Sequence, residues 1–281
     1  MTSHADKAAA FRRLHEADGI FVMPNAWDAG SAKFLAAAGF QAIATTSGGV
    51  NWSRGRRDWV LEAPRDEMLD AYGDIATAVD VPVSGDLENG YGNEPEAVAA
   101  TITGSIARGM VGGGIEDWTA NPADPLYEIG LAVERIRAAR EAGDASEIRY
   151  TLTGRCEVFC TDLPQAYAQA VDRCNRYVEA GADCVFVPGL TGAENIKNFV
   201  RDVDAPLNMV AGLADPRLTV AELADLGVKR ISTGGSLARA CFGLLKQAAE
   251  DLASTGRFDY VEQAISDPGI DTFFRTGAHA E

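Results

Sequence analysis

Histidine is scarce in this 281-residue chain. His4, His15 and His279 all stand near its ends, and none follows a strand-like apolar run. Zinc held by imidazole and a Ser-His-Asp relay therefore both lose their defining residue. Lysine is almost as rare. Of Lys7, Lys33, Lys197, Lys229 and Lys246, only Lys229 is close to a strand candidate, and it precedes that strand. A Schiff-base mechanism has no nucleophile at a strand's carboxyl end. The five cysteines (Cys156, Cys160, Cys174, Cys184, Cys241) are odd in number and form no C-x-x-C pair. They read as reduced, small core residues of a cytoplasmic protein. No apolar run reaches the roughly 18 residues of a membrane span, and the N-terminal stretch has no signal-peptide centre. Basic clusters are missing as well: 25 Lys and Arg face 41 Asp and Glu, a net charge of −16. Such a charge repels phosphate backbones and anionic lipid heads, so neither a nucleic acid nor a membrane is expected as a partner.

What is present is alternation. Short apolar runs at 20–23, 42–46, 81–86, 114–116, 150–155, 184–187, 207–210 and 230–233 are separated by stretches with helical spacing, such as Val98, Ile102 and Ile106. Asn93 with Glu96 and Thr219 with Glu222 read as capping boxes, and Gly39, Gly181 and Gly227 as helix stops. Eight strand–helix units imply parallel strands and right-handed crossovers, which close without a free edge. The expectation is an α/β chain: a single (β/α)8 TIM-type barrel over residues 1–252, with a C-terminal helical extension over 253–281. A doubly wound sheet would want a glycine-rich turn after the first strand, where Met23-Pro-Asn-Ala-Trp-Asp28 stands instead.

Barrel chemistry sits on the loops after the strands. There the chain places Asn25 and Asp28, then Thr45, Thr46, Ser47 and a flexible Gly48-Gly49, then Ser84, Asp86 and Glu88, Glu116 and Asp117, and Arg155 with Glu157. Period-two alternation puts Ser84, Asp86 and Glu88 on one face. Converging carboxylates repel unless protons or a cation share the site, and hard oxygen donors favour Mg²⁺ or Mn²⁺. Arg155 on an inward position needs an anion, either a ligand carboxylate or a neighbouring Glu157 or Glu116. Glycines in Ser232-Thr-Gly-Gly-Ser-Leu237 leave a phosphate site open as a second reading.

Gly85-Asp-Leu-Glu-Asn-Gly-Tyr-Gly-Asn93, with Ser47-Gly-Gly49, Gly55-Arg-Arg-Asp58, Gly114-Ile-Glu-Asp117 and Thr153-Gly-Arg-Cys-Glu157, resembles the isocitrate lyase/phosphoenolpyruvate mutase superfamily from about Phe11 to Leu245. The resemblance implies a barrel that holds Mg²⁺ and an α-oxo acid or its enol. Asp86 would ligate the metal directly, while Glu88, Glu116 and Asp58 would hold its waters. Ser47 and the Gly48 and Gly49 amides would cradle the oxo acid, Arg155 would grip a carboxylate, and Asn121 would stand in for a lid asparagine. It also implies a homo-oligomer, dimer or tetramer, paired through the final helices.

Two departures narrow the reading. Trp118-Thr-Ala-Asn-Pro-Ala-Asp-Pro125 lacks the Lys-Lys-Cys-Gly-His lid of the isocitrate and methylisocitrate lyases. Val187-Pro-Gly-Leu-Thr191 lacks the histidine of the phosphonate-cleaving members. The reading is a Mg²⁺-dependent carbon–carbon lyase or decarboxylase of a small, oxaloacetate-like α-oxo acid, working through an enolate. Phosphoenolpyruvate mutase or phosphonopyruvate hydrolase chemistry, and a non-catalytic oxo-acid-binding barrel, stand as alternatives. The proton donor to the enolate is left open between Tyr91 and a metal-bound water.

Overall fold

The computed structural model describes residues 2–213 and 218–277; His279 and the last residues of the extension lie outside the described residues. Nine parallel strands form one sheet, and its two end strands follow each other in the chain. These are β1 (Phe21–Met23) and β2 (Asn25–Ala26), one barrel strand divided at Pro24. β1 pairs with the last strand, β9 (Arg230–Ser232), and β2 pairs with β3 (Ile43–Thr45). Proline offers no N–H to the ladder, so the strand changes partner there. Asn25 stitches the seam. Its Oδ1 accepts from the Thr233 and Gly234 amides at 2.8 and 2.9 Å, and its Nδ2 donates to the Thr45 carbonyl. The remaining staves are β4 (Val83–Asp86), β5 (Gly112–Glu116), β6 (Thr151–Arg155), β7 (Cys184–Phe186) and β8 (Leu207–Val210). The expected eight-unit barrel is thus the fold.

β5 starts two residues earlier than its apolar pattern suggests. A Cβ at Gly112 would fall 2.6 Å from the Phe11 ring, and one at Gly113 2.3 Å from the Tyr150 hydroxyl, so close packing holds glycines where strand propensity would not. Phe11 belongs to α1 (His4–Glu16), which closes the N-terminal end of the barrel. At that rim Lys229 donates to the carbonyls of Ala17 and Gly19, on the far side from the strand ends.

Around the barrel run α2 (Ala29–Ala37), α4 (Arg65–Ala78), α5 (Pro95–Ala107), α6 (Ile129–Asp144), α7 (Ala166–Glu179), α8 (Ala193–Asp202) and α9 (Val220–Asp225). The Thr219–Glu222 capping box is present, and Gly39, Gly181 and Gly227 have positive φ. The Asn93–Glu96 box does not form. α5 begins at Pro95 without a side-chain cap, because Asn93 Oδ1 accepts from the Tyr127 hydroxyl at 2.8 Å. Asp28 faces no site; with Ser31 it makes the capping box of α2. Cys156, Cys174 and Cys184 are buried, but Cys160 and Cys241 are exposed rather than core residues.

After β9, α10 (Ser236–Thr255) buries only Ala238 along its 20 residues. In the extension beyond it, α11 (Asp267–Thr276) stacks Phe273 on Phe34 of α2, with ring centroids 3.9 Å apart. No helix among the described residues is long and apolar enough to cross a membrane.

Candidate active site

A cavity of about 390 Å³ opens at the carboxyl ends of the strands. Its acidic wall brings Ser47, Asp58, Asp86, Glu88, Glu116 and Arg155 together. Asp86 ends β4 and is fixed from two sides. Its Oδ2 accepts from the Ser47 amide at 2.9 Å, and its Oδ1 from Arg155 Nη1 at 3.2 Å. The Thr45 hydroxyl receives the Asp86 amide at 2.9 Å, which ties β4 to β3 at the point where the carboxylate leaves the sheet.

Glu88 reaches the cavity by a different route from strand alternation. The strand has ended, and a left-handed backbone at Glu88, with φ of 48°, turns its side chain inward while Leu87 stays in the core. Gly90 and Tyr91 also have positive φ, so the segment coils tightly. Arg135 of α6, 1% exposed, holds the coil by donating to the carbonyls of Asn89, Gly92 and Asn93. Its guanidinium lies 4.0 Å from the Tyr127 ring centroid. Sequence reasoning missed Arg135; the only signal was an arginine placed among the apolar positions of a helix.

Arg155 does not wait for a ligand. It bridges Asp86, Glu116 at 3.0 Å, and Glu157, so the paired reading of this residue is the one that the structure shows. Trp59 and Phe186 flank the guanidinium, with ring centroids 5.7 and 5.2 Å away. Behind it Asp117 serves the scaffold: it accepts from the Glu157 amide, the Tyr177 hydroxyl and Arg173.

Burial and mutual repulsion dominate the electrostatics. Desolvation, then the neighbouring Asp86 and Asp58, push Glu88 up to about 8. Asp58 rises through desolvation and Asp86, against the Ser47 hydroxyl, which favours its charged form. Glu116 rises well above the ordinary range by burial, although Arg155 pulls it down. Tyr91 donates to Glu88 Oε1 at 3.4 Å and does not line the cavity.

Three expected residues stand apart. Gly48 and Gly49 lie behind the wall as part of a buried helix, α3 (Ser47–Ser53), and are not a flexible loop. A Cβ at Gly48 would come 2.8 Å from Asp58 Oδ2, and one at Gly49 2.7 Å from both Thr46 Cγ2 and Trp27 Cβ. The Gly49 amide is already used on the Thr46 cap. Asn121 sits exposed in the 118–126 loop, where its Oδ1 accepts from the Ala123 amide; it does not line the cavity. Two arginines were missed. Arg230 lines the cavity from β9, and Arg239 of α10 lines it from the rim, where it forms no ion pair among the described residues.

Among the described residues no three acids, histidines or cysteines close on one point tightly enough to enclose a metal ion. The donor set is nevertheless all carboxylate, with one guanidinium among four acids. That arrangement fits a hard cation bound directly by one carboxylate, with water between it and the rest.

A parallel barrel with a carboxylate-lined mouth defines the class. The chain belongs to the phosphoenolpyruvate phosphomutase family, whose model matches residues 11–253, within the isocitrate lyase/phosphoenolpyruvate mutase superfamily. An uncharacterised protein of Mycobacterium tuberculosis, Rv1998c, is 34% identical over 225 residues, 80% of this chain and 81% of that protein. A candidate lyase/mutase of Burkholderia cenocepacia J2315 superposes with a TM-score of 0.94 at 43% identity, covering 97% of this chain and 98% of that one. 2,3-Dimethylmalate lyase gives 0.85 at 26% identity, over 99% and 96%. Phosphonopyruvate hydrolase in complex with oxalate and Mg²⁺ gives 0.85 at 25% identity, over 98% and 95%. Lyases and phosphonate-cleaving enzymes thus both stand among its relatives.

Proposed function

We propose that this protein is a Mg²⁺- or Mn²⁺-dependent lyase that cleaves or decarboxylates a small α-oxo acid of the oxaloacetate type. The observation that carries the reading is the convergence of Asp58, Asp86, Glu88 and Glu116 on one wall of the cavity, with the Arg155 guanidinium paired to Asp86 and Glu116 among them. Asp86 would hold the ion, and Glu88, Glu116 and Asp58 its waters. When bound, the ion supplies the positive charge that offsets an enolate's negative charge as the bond next to the carbonyl breaks.

The chain's own residues do the rest. Ser47 and Arg155 hold Asp86 in one orientation, so its carboxylate loses little freedom on binding. Arg155, engaged by three acids, acts as a fixed counter-charge, and Arg239 at the rim, which has no ion pair among the described residues, is better placed to meet a substrate carboxylate than Arg155 is. Ser47 presents its hydroxyl between Asp58 and the cavity, where it can hydrogen-bond the oxo acid. Trp52, Trp59 and Phe186 supply apolar wall and limit water around the reacting carbon.

The test is pyruvate release from oxaloacetate and related oxo acids with Mg²⁺, with Mn²⁺ and with chelator; turnover that ignores the metal overturns the reading. Phosphonopyruvate belongs in the same panel, because the matching family model is that of a phosphomutase. Asp86→Ala should abolish metal uptake and turnover together, whereas a non-catalytic barrel would show no turnover to lose.

The active form is a homo-oligomer. Leu245 on α10 and Val261 beyond it are each 62% exposed, and Phe242, Leu252, Phe258 and Ile265 share the same uncovered stretch. Apolar area of this extent calls for a cover, and a second copy of the chain offers a matching one.

A further inference from the structure

The cavity has a second polar end that the proposed chemistry leaves unused. Its floor is formed by Arg230 on β9, Asn208 on β8 and Thr153 on β6. Arg230 is 3% exposed and forms no ion pair with any described residue. Its Nε donates to Asn208 Oδ1 at 2.8 Å and its Nη2 to Thr153 Oγ1 at 3.0 Å.

Its third neighbour is His15 of α1, whose Nε2 lies 3.0 Å from Nη1. His15 Nδ1 is 2.9 Å from the Phe11 carbonyl, which can only accept. The proton therefore sits on Nδ1, and Nε2 offers Arg230 a bare lone pair. The imidazole is neutral, in keeping with a pKa pushed down to about 3 by burial and by the adjacent guanidinium. All three partners of the buried cation are therefore uncharged. A guanidinium has five N–H groups, and three neighbours leave some of them to spare. A buried charge is costly unless it meets its opposite, and no carboxylate among the described residues provides one.

We propose that Arg230 is an anion subsite that receives the second acid group of a dianionic substrate, whose oxo-acid end lies at Ser47 and Asp86. The inference rests on the oxo-acid reading of the rim and narrows it to diacids. Spacing supports it. Thr153, which bonds Arg230, and Arg155, which bonds Asp86, are two residues apart on β6, or about 7 Å along the strand. An extended four- or five-carbon diacid covers that distance. The partial charges on Asn208 and Thr153 orient the guanidinium, and His15 backs it from below, so the anchor is preorganised.

The experiment is calorimetric titration of the full Mg²⁺-loaded chain with two probes of equal carbon count: 3,3-difluorooxaloacetate, a diacid, and 2-oxobutanoate, which ends in a methyl group. The wild type should bind the diacid more tightly. Arg230→Met should weaken the diacid 10- to 100-fold, the size of a charged hydrogen bond, and leave 2-oxobutanoate unchanged. Arg230→Lys keeps the charge and should retain most of the preference, which preserves the test if the Met variant does not fold. A merely structural arginine would move both probes together or neither, and either result overturns the subsite, as would equal wild-type affinity for the two. If neither probe binds the wild type, the oxo-acid reading itself falls, and the subsite with it.

Discussion

Glu116 and Asp117 are neighbours at the end of β5, yet their neutral isosteres should behave oppositely. Asp117 is 3% exposed and accepts three hydrogen bonds: from the Glu157 amide at 2.8 Å, the Tyr177 hydroxyl at 2.6 Å and Arg173 at 3.1 Å. Asn at this position offers one oxygen, and its amide nitrogen confronts a donor whichever way it turns. Losing a charged hydrogen bond costs about 1.5–3 kcal/mol, and stranding a buried donor about 1–3 kcal/mol more. Together these put Asp117→Asn at about 3–5 kcal/mol, the range for breaking a buried pair. In a chain of this length that lowers the melting temperature by on the order of 10 °C. Glu116→Gln should stay within about 1 kcal/mol of the wild type, because Arg155 keeps Asp86 and Glu157 while the repulsion of Glu116 by Glu157, Asp86 and Glu88 disappears. Thermal melts by circular dichroism at pH 7 in chelator give the stabilities, and calorimetric titration with Mn²⁺ gives the metal response, which only Glu116→Gln should weaken in a folded protein. If Glu116→Gln melts as early as Asp117→Asn, the division into a site carboxylate and a scaffold carboxylate is wrong.

His15 should make stability depend on acid. Its folded pKa, depressed to about 3 chiefly by burial, favours the neutral form, so its contribution is complete above about pH 6.5 and is lost as pH falls towards 3. By pH 5 the loss is roughly 2 kcal/mol. His15→Asn should remove that component, seen as a smaller gap between urea midpoints at pH 8 and pH 5; parallel profiles would refute it. Two helix glycines should respond with opposite sign. Gly49→Ala drives a Cβ to 2.7 Å from Trp27 Cβ and should cost about 1–3 kcal/mol, whereas Gly243→Ala in α10 meets nothing within 4 Å and should gain about 0.5–1 kcal/mol. Equal shifts would remove packing as the reason for Gly49. Light scattering should give a mass of at least twice 29.8 kDa, and Leu245→Asp with Val261→Asp should reduce it towards one chain.

The barrel was legible because buried parallel strands are apolar on both faces and punctuated by capped helices. What escaped has local causes. Pro24 was visible in the sequence, but a strand divided between two partners looks like one strand until its ladders are seen. Gly112 and Gly113 hid the start of β5, since strand propensity counts against glycine and only Phe11 and Tyr150, distant in sequence, require it. Asn93 and Glu96 carry a capping pattern, yet Pro95 between them suits the first helical turn and Tyr127 takes the asparagine. Gly48 and Gly49 were read as mobile for the same reason: a sequence shows that a side chain is missing, not what occupies its place.

The acids and Arg155 were legible, whereas Arg135, Arg230 and Arg239 were not, and one cause explains the difference. A carboxylate at a strand end declares its direction by alternation, so Asp86 could be placed from spacing, while the family resemblance singled out Glu116 from its neighbour Asp117. An arginine's long stem lets its charge lie far from its Cα, and the head's position depends on which oxygens it finds. Arg135 finds three carbonyls of the 89–93 coil, Arg155 three carboxylates, and Arg230 only neutral acceptors. The first two meet a complement supplied by the chain itself, which explains how so acidic a mouth holds its shape. Arg230 is the case in which no described residue supplies one. A buried charge left without its opposite opposes folding, and the fold retains it at the base of the same cavity whose rim carries an excess of the other sign. A diacid with its oxo-acid end held at that rim by the ion and its second carboxylate towards the floor would satisfy both ends at once, and a monoacid would satisfy the rim alone.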